Sequence, residues 1–103
     1  IKIADLGISK LLNDPFELSF TYCGTPINMA PEILNRVSYN FKADIWSFGT
    51  ILYEMLIGES PFKHSKTKSD LKFSHKNFIF VNNRMQSFSK DCLRFINLCM
   101  TYN

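Results

Sequence analysis

Few side chains in this sequence sit where they could do chemistry, and the foremost is the carboxylate of Asp5. Ile1-Lys2-Ile3 alternates like a strand, Asp5-Leu6-Gly7 turns the chain, and a short extended piece follows at Ile8 and Ser9, so a carboxylate is held at a strand end. From Lys10 to Asn28 no period holds, and Asn13, Asp14, Pro15, Gly24 and Pro26 break the chain repeatedly. A loop of that length inside a compact domain suits regulation or substrate contact. Cys23, beside Gly24, is a candidate reactive thiol, but it lacks the neighbouring cations that would favour a thiolate. His64 and His75 stand alone without a second ligand at metal spacing and read as solvent-exposed side chains. Cys92 and Cys99 share a helical stripe, where small core residues are expected.

The element that must position these groups runs from Asp44 to Gly58. Asp44 is placed to cap its start, Gly58 suits its stop, and Pro61 follows. Ile45, Phe48, Leu52 and Met55 line one face at helical spacing, and Trp46, Gly49, Tyr53 and Leu56 line a second. A helix apolar on most of its circumference belongs in a protein interior. It is too short for a bilayer and is interrupted by Ser47, Thr50 and Glu54, so a core helix is expected rather than a membrane span. Ala30-Pro31-Glu32-Ile33-Leu34 fits a short helix, with proline in the first turn and an acid near the positive end of the dipole. Residues 35–42 form a polar connection and residues 58–68 a loop. Thr67 to Ser74 fits a weak helix, and His75 to Phe88 is irregular around an extended Phe78-Ile79-Phe80-Val81. Ser89, followed by Asp91, caps a last helix whose stripe is Cys92, Phe95, Ile96 and Cys99.

The chain has 103 residues, 46% of them apolar and 15% aromatic, which is a globular composition for one domain or part of one. Ten phenylalanines imply a core larger than so short a segment closes by itself. Without an initiator methionine, and stopping directly after an apolar helical pattern, both ends are expected to be cut. The net charge of +3 is mild and concentrated between Lys63 and Lys76. Those lysines alternate with Ser and Thr rather than with Arg and aromatic residues, which argues against nucleic acid as a partner. Three cysteines without a C-x-x-C pair, and no signal peptide, fit a reducing compartment inside the cell. There are no internal repeats.

Taken together and in order, Asp5-Leu6-Gly7, Gly24-Thr25-Pro26, Met29-Ala30-Pro31-Glu32 and Asp44-x-Trp46-x-x-Gly49 closely resemble the eukaryotic protein kinase family, serine/threonine type. The resemblance covers essentially the whole chain. It implies a mainly α fold: part of the kinase C-terminal lobe, short β-strands at the N-terminus, then helices around a buried central helix. Residues 1–32 would be the metal-binding turn and activation segment, and residues 33–103 a helical subdomain. By the same resemblance Asp5 would bind Mg²⁺ and, through it, the phosphates of ATP. Gly7 would supply the conformation of a sharp turn, with Leu6 standing where the family has Phe.

Thr25 would contact substrate and the catalytic loop. Asn28 replaces a Tyr expected there. Glu32 would be a buried acid whose Arg partner lies outside the chain. Asp44 would hold the catalytic-loop backbone as well as capping its helix, the alternative being an ordinary cap alone, and Trp46 and Gly49 would be structural. Thr21 stands at the spacing of an activating phosphothreonine, with Ser19 as a rival, and Lys10 could reach that phosphate. The function implied is transfer of the ATP γ-phosphoryl group to a protein Ser or Thr in the cytoplasm, with ATP and Mg²⁺ needed in the complete domain. These residues alone are expected to be inactive. The alternatives are a non-catalytic kinase-like interaction module docking a partner through residues 61–76, or an unrelated small helical protein. Neither nucleic acid nor a membrane is an expected partner, and the oligomeric state stays open.

Overall fold

A computed structural model describes residues 2, 3, 6, 7, 9, 11, 26–78 and 87–102. The fold is mainly helical. After a 3-10 turn at Pro26–Asn28 come α1 (Pro31–Leu34), α2 (Lys42–Ile57), α3 (Lys68–Lys76) and α4 (Lys90–Cys99). Of the N-terminal strand positions that are described, Lys2, Ile3 and Ser9 lie in no strand. Ile1 and Ile8 lie outside the described residues.

Helix α1 starts as the sequence implies, with Pro31 in its first turn, where a missing N–H costs nothing. Its end is less ordinary. The N–H of Val37 donates to the Glu32 carbonyl at 2.9 Å and that of Arg36 to the Ile33 carbonyl at 3.0 Å, the double closure of a Schellman motif. The motif needs a left-handed residue after the cap. Arg36 fills that place with φ 57°, where a residue bearing a Cβ costs roughly 1–2 kcal/mol and glycine would not.

Helix α2 begins two residues before the expected Asp44, and Asp44 does not cap it. Phe41 is the N-cap and no side chain caps the helix; just before it, Asn40 Oδ1 accepts from the Lys42 N–H at 3.0 Å. The next two N–H groups bond three residues back, Ala43 to Asn40 and Asp44 to Phe41, both at 3.1 Å. These tight bonds satisfy the donors that an N-terminus leaves open. Asp44 is an exposed first-turn acid, favourably placed toward the helix dipole. At the other end Gly58 adopts φ 85° and donates to the Glu54 carbonyl at 2.8 Å, the left-handed stop its type implies.

The expectation that α2 is buried nearly all round is also corrected. Ala43, Trp46, Gly49, Thr50 and Ile57 are buried, whereas Ile45, Phe48, Ile51 and Met55 are exposed, Met55 at 75%. Among the described residues, α4, the 3-10 turn and the segment carrying Phe62 and α3 all pack on one side. The other apolar side is continued by α4, where the Phe95 ring meets that of Phe48 edge-on at 6.2 Å and Leu98 is exposed.

Helix α3 is longer than expected and firmly started. The Thr67 hydroxyl accepts from the Asp70 N–H at 3.1 Å, while Asp70 Oδ2 accepts from the N–H groups of Thr67 at 2.9 Å and Lys66 at 3.3 Å. This capping box lets a polar sequence hold a helix through to Lys76. His75, expected in solvent, is only 1% exposed. It stands one helical turn after the buried Leu71 and therefore shares its inward face. Helix α4 is capped by the Ser89 hydroxyl, which accepts from the Cys92 N–H at 3.2 Å, and it buries Ile96 and Cys99. No helix among the described residues is long and apolar enough to cross a membrane.

Candidate functional site

The 3-10 turn at Pro26–Asn28 is fastened to α2 by polar contacts that the sequence pattern did not announce. The Ser47 hydroxyl donates to the Asn28 carbonyl at 2.8 Å, and the fully buried Thr50 hydroxyl shares its proton between the Ser47 carbonyl at 2.8 Å and Asn28 Oδ1 at 3.3 Å. Ser47 and Thr50, one turn apart, had looked like interruptions of an apolar helix. They are the donors that fix the turn directly after Thr25. Asn28, read as a departure, supplies both acceptors.

Met29 leads from this turn into α1, and across from them lies the start of α3. Between the two runs a groove of about 570 Å³, a size that suits a side chain or a small ligand. Ile27, Met29, Ile33, Leu34 and Leu71 make its apolar wall, and Arg36, Lys66 and Lys68 add cations. Two regions singled out separately in the sequence, the end of the long loop and the 61–76 stretch, thus share one groove.

Trp46 and Gly49 do packing work. Trp46 is buried, its ring parallel to that of Phe62 at 6.1 Å and tilted against His75 at 4.9 Å. Phe62 also lies 4.5 Å from the imidazole. Neither His75 nitrogen, nor Trp46 Nε1, finds a hydrogen-bond partner among the described residues. Burial alone drives the His75 pKa down to about 4, so the ring is neutral and behaves as an aromatic filler. The periodicity Leu71/His75 could have revealed this, had the histidine been weighed as a core residue.

At Gly49 the reason for glycine is close approach. A Cβ there would lie 2.7 Å from the Cys99 Cβ and 2.8 Å from the Met100 Cγ, so its absence lets α2 and α4 meet. Gly7 lies in an exposed turn closed by the Ser9 N–H donating to the Leu6 carbonyl at 3.0 Å, with open space around it. Glu32 is half-buried in the first turn of α1. Asp5, Lys10, Ser19, Thr21, Cys23 and Thr25 lie outside the described residues, as do Ile79, Phe80 and Val81. No cluster of three or more His, Cys, Asp or Glu side chains suited to a metal occurs among the described residues.

The sequence matches the family of the protein kinase domain over residues 1–103. It is 56% identical over 71 residues to the serine/threonine-protein kinase atg1 of Dictyostelium discoideum, covering 69% of this chain and 10% of that protein. It is 55% identical over 65 residues to the serine/threonine-protein kinase ATG1 of Eremothecium gossypii, covering 63% of this chain and 7% of that protein. With the protein kinase C delta type of Rattus norvegicus the identity is 51% over 71 residues, 69% of this chain and 10% of that protein. The chain spans a tenth or less of the length of these relatives.

Proposed function

The chain belongs to the protein kinase domain family, and on that footing we propose that it supplies the activation segment and substrate-facing helices of a cytoplasmic serine/threonine protein kinase. Residues 1–32 are the metal-binding turn and activation segment in this reading, and residues 33–103 the helical subdomain. The reaction is transfer of the γ-phosphoryl of ATP to a protein hydroxyl, in which positioning and charge neutralisation supply most of the catalysis. One observation carries the reading. The turn following Thr25 is held on α2 through Ser47 and Thr50 and opens directly into the groove shared with α3, the arrangement needed to present a protein segment to chemistry nearby.

Asp5, a hard oxygen donor adjoining the Leu6–Ser9 turn, is the residue that would hold Mg²⁺. When bound, Mg²⁺ neutralises charge on the ATP phosphates. Thr25 would orient the acceptor hydroxyl. Glu32 and Asp44 would brace the neighbouring loops, Glu32 through α1 and Asp44 from the first turn of α2. Thr21, once phosphorylated, would pin the activation segment by pairing with Lys10, since a phosphate brings close to two negative charges and strong acceptor oxygens.

The 103 residues by themselves contain no Gly-rich loop, strand lysine or H-R-D loop, and alone they would not catalyse. The groove also favours a second reading, a kinase-like module that binds a protein without phosphorylating it. Phosphotransfer by the full-length protein separates the two. Asp5→Asn is expected to remove nearly all phosphotransfer while leaving the fold intact. Undiminished activity of that variant in Mg²⁺ would overturn the assignment of Asp5, and a wild-type protein that neither binds ATP nor transfers phosphate would favour the module.

A further inference from the structure

We propose that the outer face of α3 docks on an anionic membrane surface, with Lys68, Lys72 and Lys76 meeting lipid headgroups and the Phe73 ring entering the headgroup layer. The contact goes beyond phosphotransfer and does not depend on it. Along the sequence these lysines are mixed with Ser, Asp and His and single out no partner. Wound into α3 they stand at i, i+4 and i+8, a row of like charges on one side of the helix. All three are exposed, while Leu71 and His75 turn another side into the core. Phe73, 71% exposed, lies nearly opposite that buried pair and three residues before Lys76, so it flanks the row.

Lysines scattered on a helix are ordinarily no more than a solvated face. Here like charges follow one another at the spacing that destabilises a helix, and nothing offsets them. The one acid of α3, Asp70, is taken up at its start by the backbone N–H groups of Lys66 and Thr67. Lys63 is paired with Glu59, whereas Lys68, Lys72 and Lys76 have no ion pair among the described residues. Beside this charge stands an aromatic ring that water penalises and a headgroup layer accepts. The row contains no arginine, the residue best shaped for nucleic acid, and lysine's flexible point charge needs no fixed geometry in its partner. Each lysine near an anionic surface raises binding about fivefold, so three with one apolar anchor give a weak, reversible attachment. Such a contact is peripheral and needs no membrane-crossing helix, of which the described residues contain none. It revises the expectation, drawn from residue order, that a membrane is no partner.

The test is sedimentation of the full-length protein with vesicles of mixed phosphatidylserine and phosphatidylcholine, beside vesicles of phosphatidylcholine alone. Binding is expected to the mixed vesicles, well above that to the neutral ones, and to weaken with added salt. Combining Lys72→Gln with Lys76→Gln should weaken it about 25-fold, as two lost charges imply. Glutamine matches lysine in helix propensity and removes the like-charge repulsion, so the unfolding midpoint should stay the same or rise, and loss of structure cannot be the cause. Lys72→Arg with Lys76→Arg, which keeps the charge, should keep the binding. Phe73→Ser should weaken it as well, most plainly at high salt, where the apolar share of the contact is what remains.

Vesicle binding that survives the double glutamine exchange overturns the proposal, since the attraction then comes from elsewhere in the protein; so does equal binding to neutral vesicles, or none to either kind. Duplex DNA that displaces the vesicles at the same salt would assign the face to nucleic acid. Capture of a Glu-rich peptide without vesicle binding would assign it to an acidic protein, and either result overturns the membrane contact. Phosphotransfer by the wild-type protein is measured alongside. Lysine-dependent vesicle binding without phosphotransfer would defeat the kinase reading and leave the membrane contact standing. Phosphotransfer without vesicle binding would defeat the membrane contact alone.

Discussion

Gly49→Ala puts the α2–α4 contact to a test whose sign is informative. In an exposed helix the exchange would stabilise by about 1 kcal/mol, because alanine is the better helix former. At Gly49 the new Cβ would lie 2.7 Å from the Cys99 Cβ and 2.8 Å from the Met100 Cγ. Carbon atoms pack best at about 3.5–4.0 Å, so a gap of roughly 1 Å has to be opened. Met100 could swing its side chain away, but the Cys99 Cβ moves only with the backbone of α4. The two helices must then separate or slide, which in a packed interface costs about 1–3 kcal/mol.

After subtracting the gain in helix propensity, a net loss of about 0–2 kcal/mol is expected, where helix propensity alone would give a gain of about 1 kcal/mol. Trp46, the chain's single tryptophan, is buried on the same helix and reports unfolding by its fluorescence. With a urea dependence of about 2 kcal/mol per molar, the midpoint should fall by up to roughly 1 M. Cys99→Gly on the Gly49→Ala background should recover part of the loss, since it removes the immovable atom. A midpoint raised by the roughly 0.5 M that helix propensity alone would give in Gly49→Ala would refute the close approach of the two helices.

The buried His75 makes stability depend on pH. Its folded pKa of about 4 lies below the ordinary value of 6.5, so the unfolded chain takes up a proton that the folded one refuses. Stability is therefore full above 6.5 and falls as the pH drops toward 4, by about 2 kcal/mol between pH 7 and pH 5. His75→Leu should remove that loss in urea midpoints taken at both pH values; a slope that survives the substitution would place its origin elsewhere. Thr67→Ala should lower amide protection in the first turn of α3. It should also let Asp70, whose carboxyl is held below its usual range by Thr67's side chain first and then by backbone N–H groups, titrate at higher pH in an NMR titration. On the kinase reading proposed above, Ser47→Ala, which loosens the Pro26–Asn28 turn, should raise KM for a protein substrate of the full-length protein, with KM for ATP unchanged. Finally, the 103-residue chain should bind an apolar dye through its exposed α2–α4 side, and Phe48→Lys with Met55→Lys should abolish much of that signal.

Signals that act within a turn or two of chain were legible in the sequence. Pro31 opening α1, Gly58 closing α2 and Ser89 capping α4 each work through local backbone geometry, and the structure has all three. Asp44 was misread because the helix starts two residues earlier, at Lys42, which leaves Asp44 inside the first turn rather than ahead of it. The apolar pattern of α2 was seen, but which face is covered depends on the elements that reach it, and no periodicity within α2 encodes that. His75 failed for a related reason: a titratable type suggests solvent, while its environment of Trp46 and Phe62 comes from distant parts of the chain. The groove combines residues 27–36 with 65–71 and was visible only as two unconnected hints. The candidate site's chemical residues came from the family resemblance, because no local physics singles out Thr25 or Thr21.

The left-handed Arg36 ties two selective pressures to one codon. Backbone conformation alone favours glycine there, since the Schellman closure of α1 needs the conformation and not the side chain. Arg36 has an interaction of its own in the structure, so exchange for glycine sets relief of the backbone against what the side chain contributes. Arginine at this position is then a standing trade, kept only while something that binds the side chain outweighs the backbone's preference. The residue works as a gauge: where the backbone's preference outweighs the side chain, laboratory evolution for thermal stability should replace it by glycine early, and where the side chain wins it should stay.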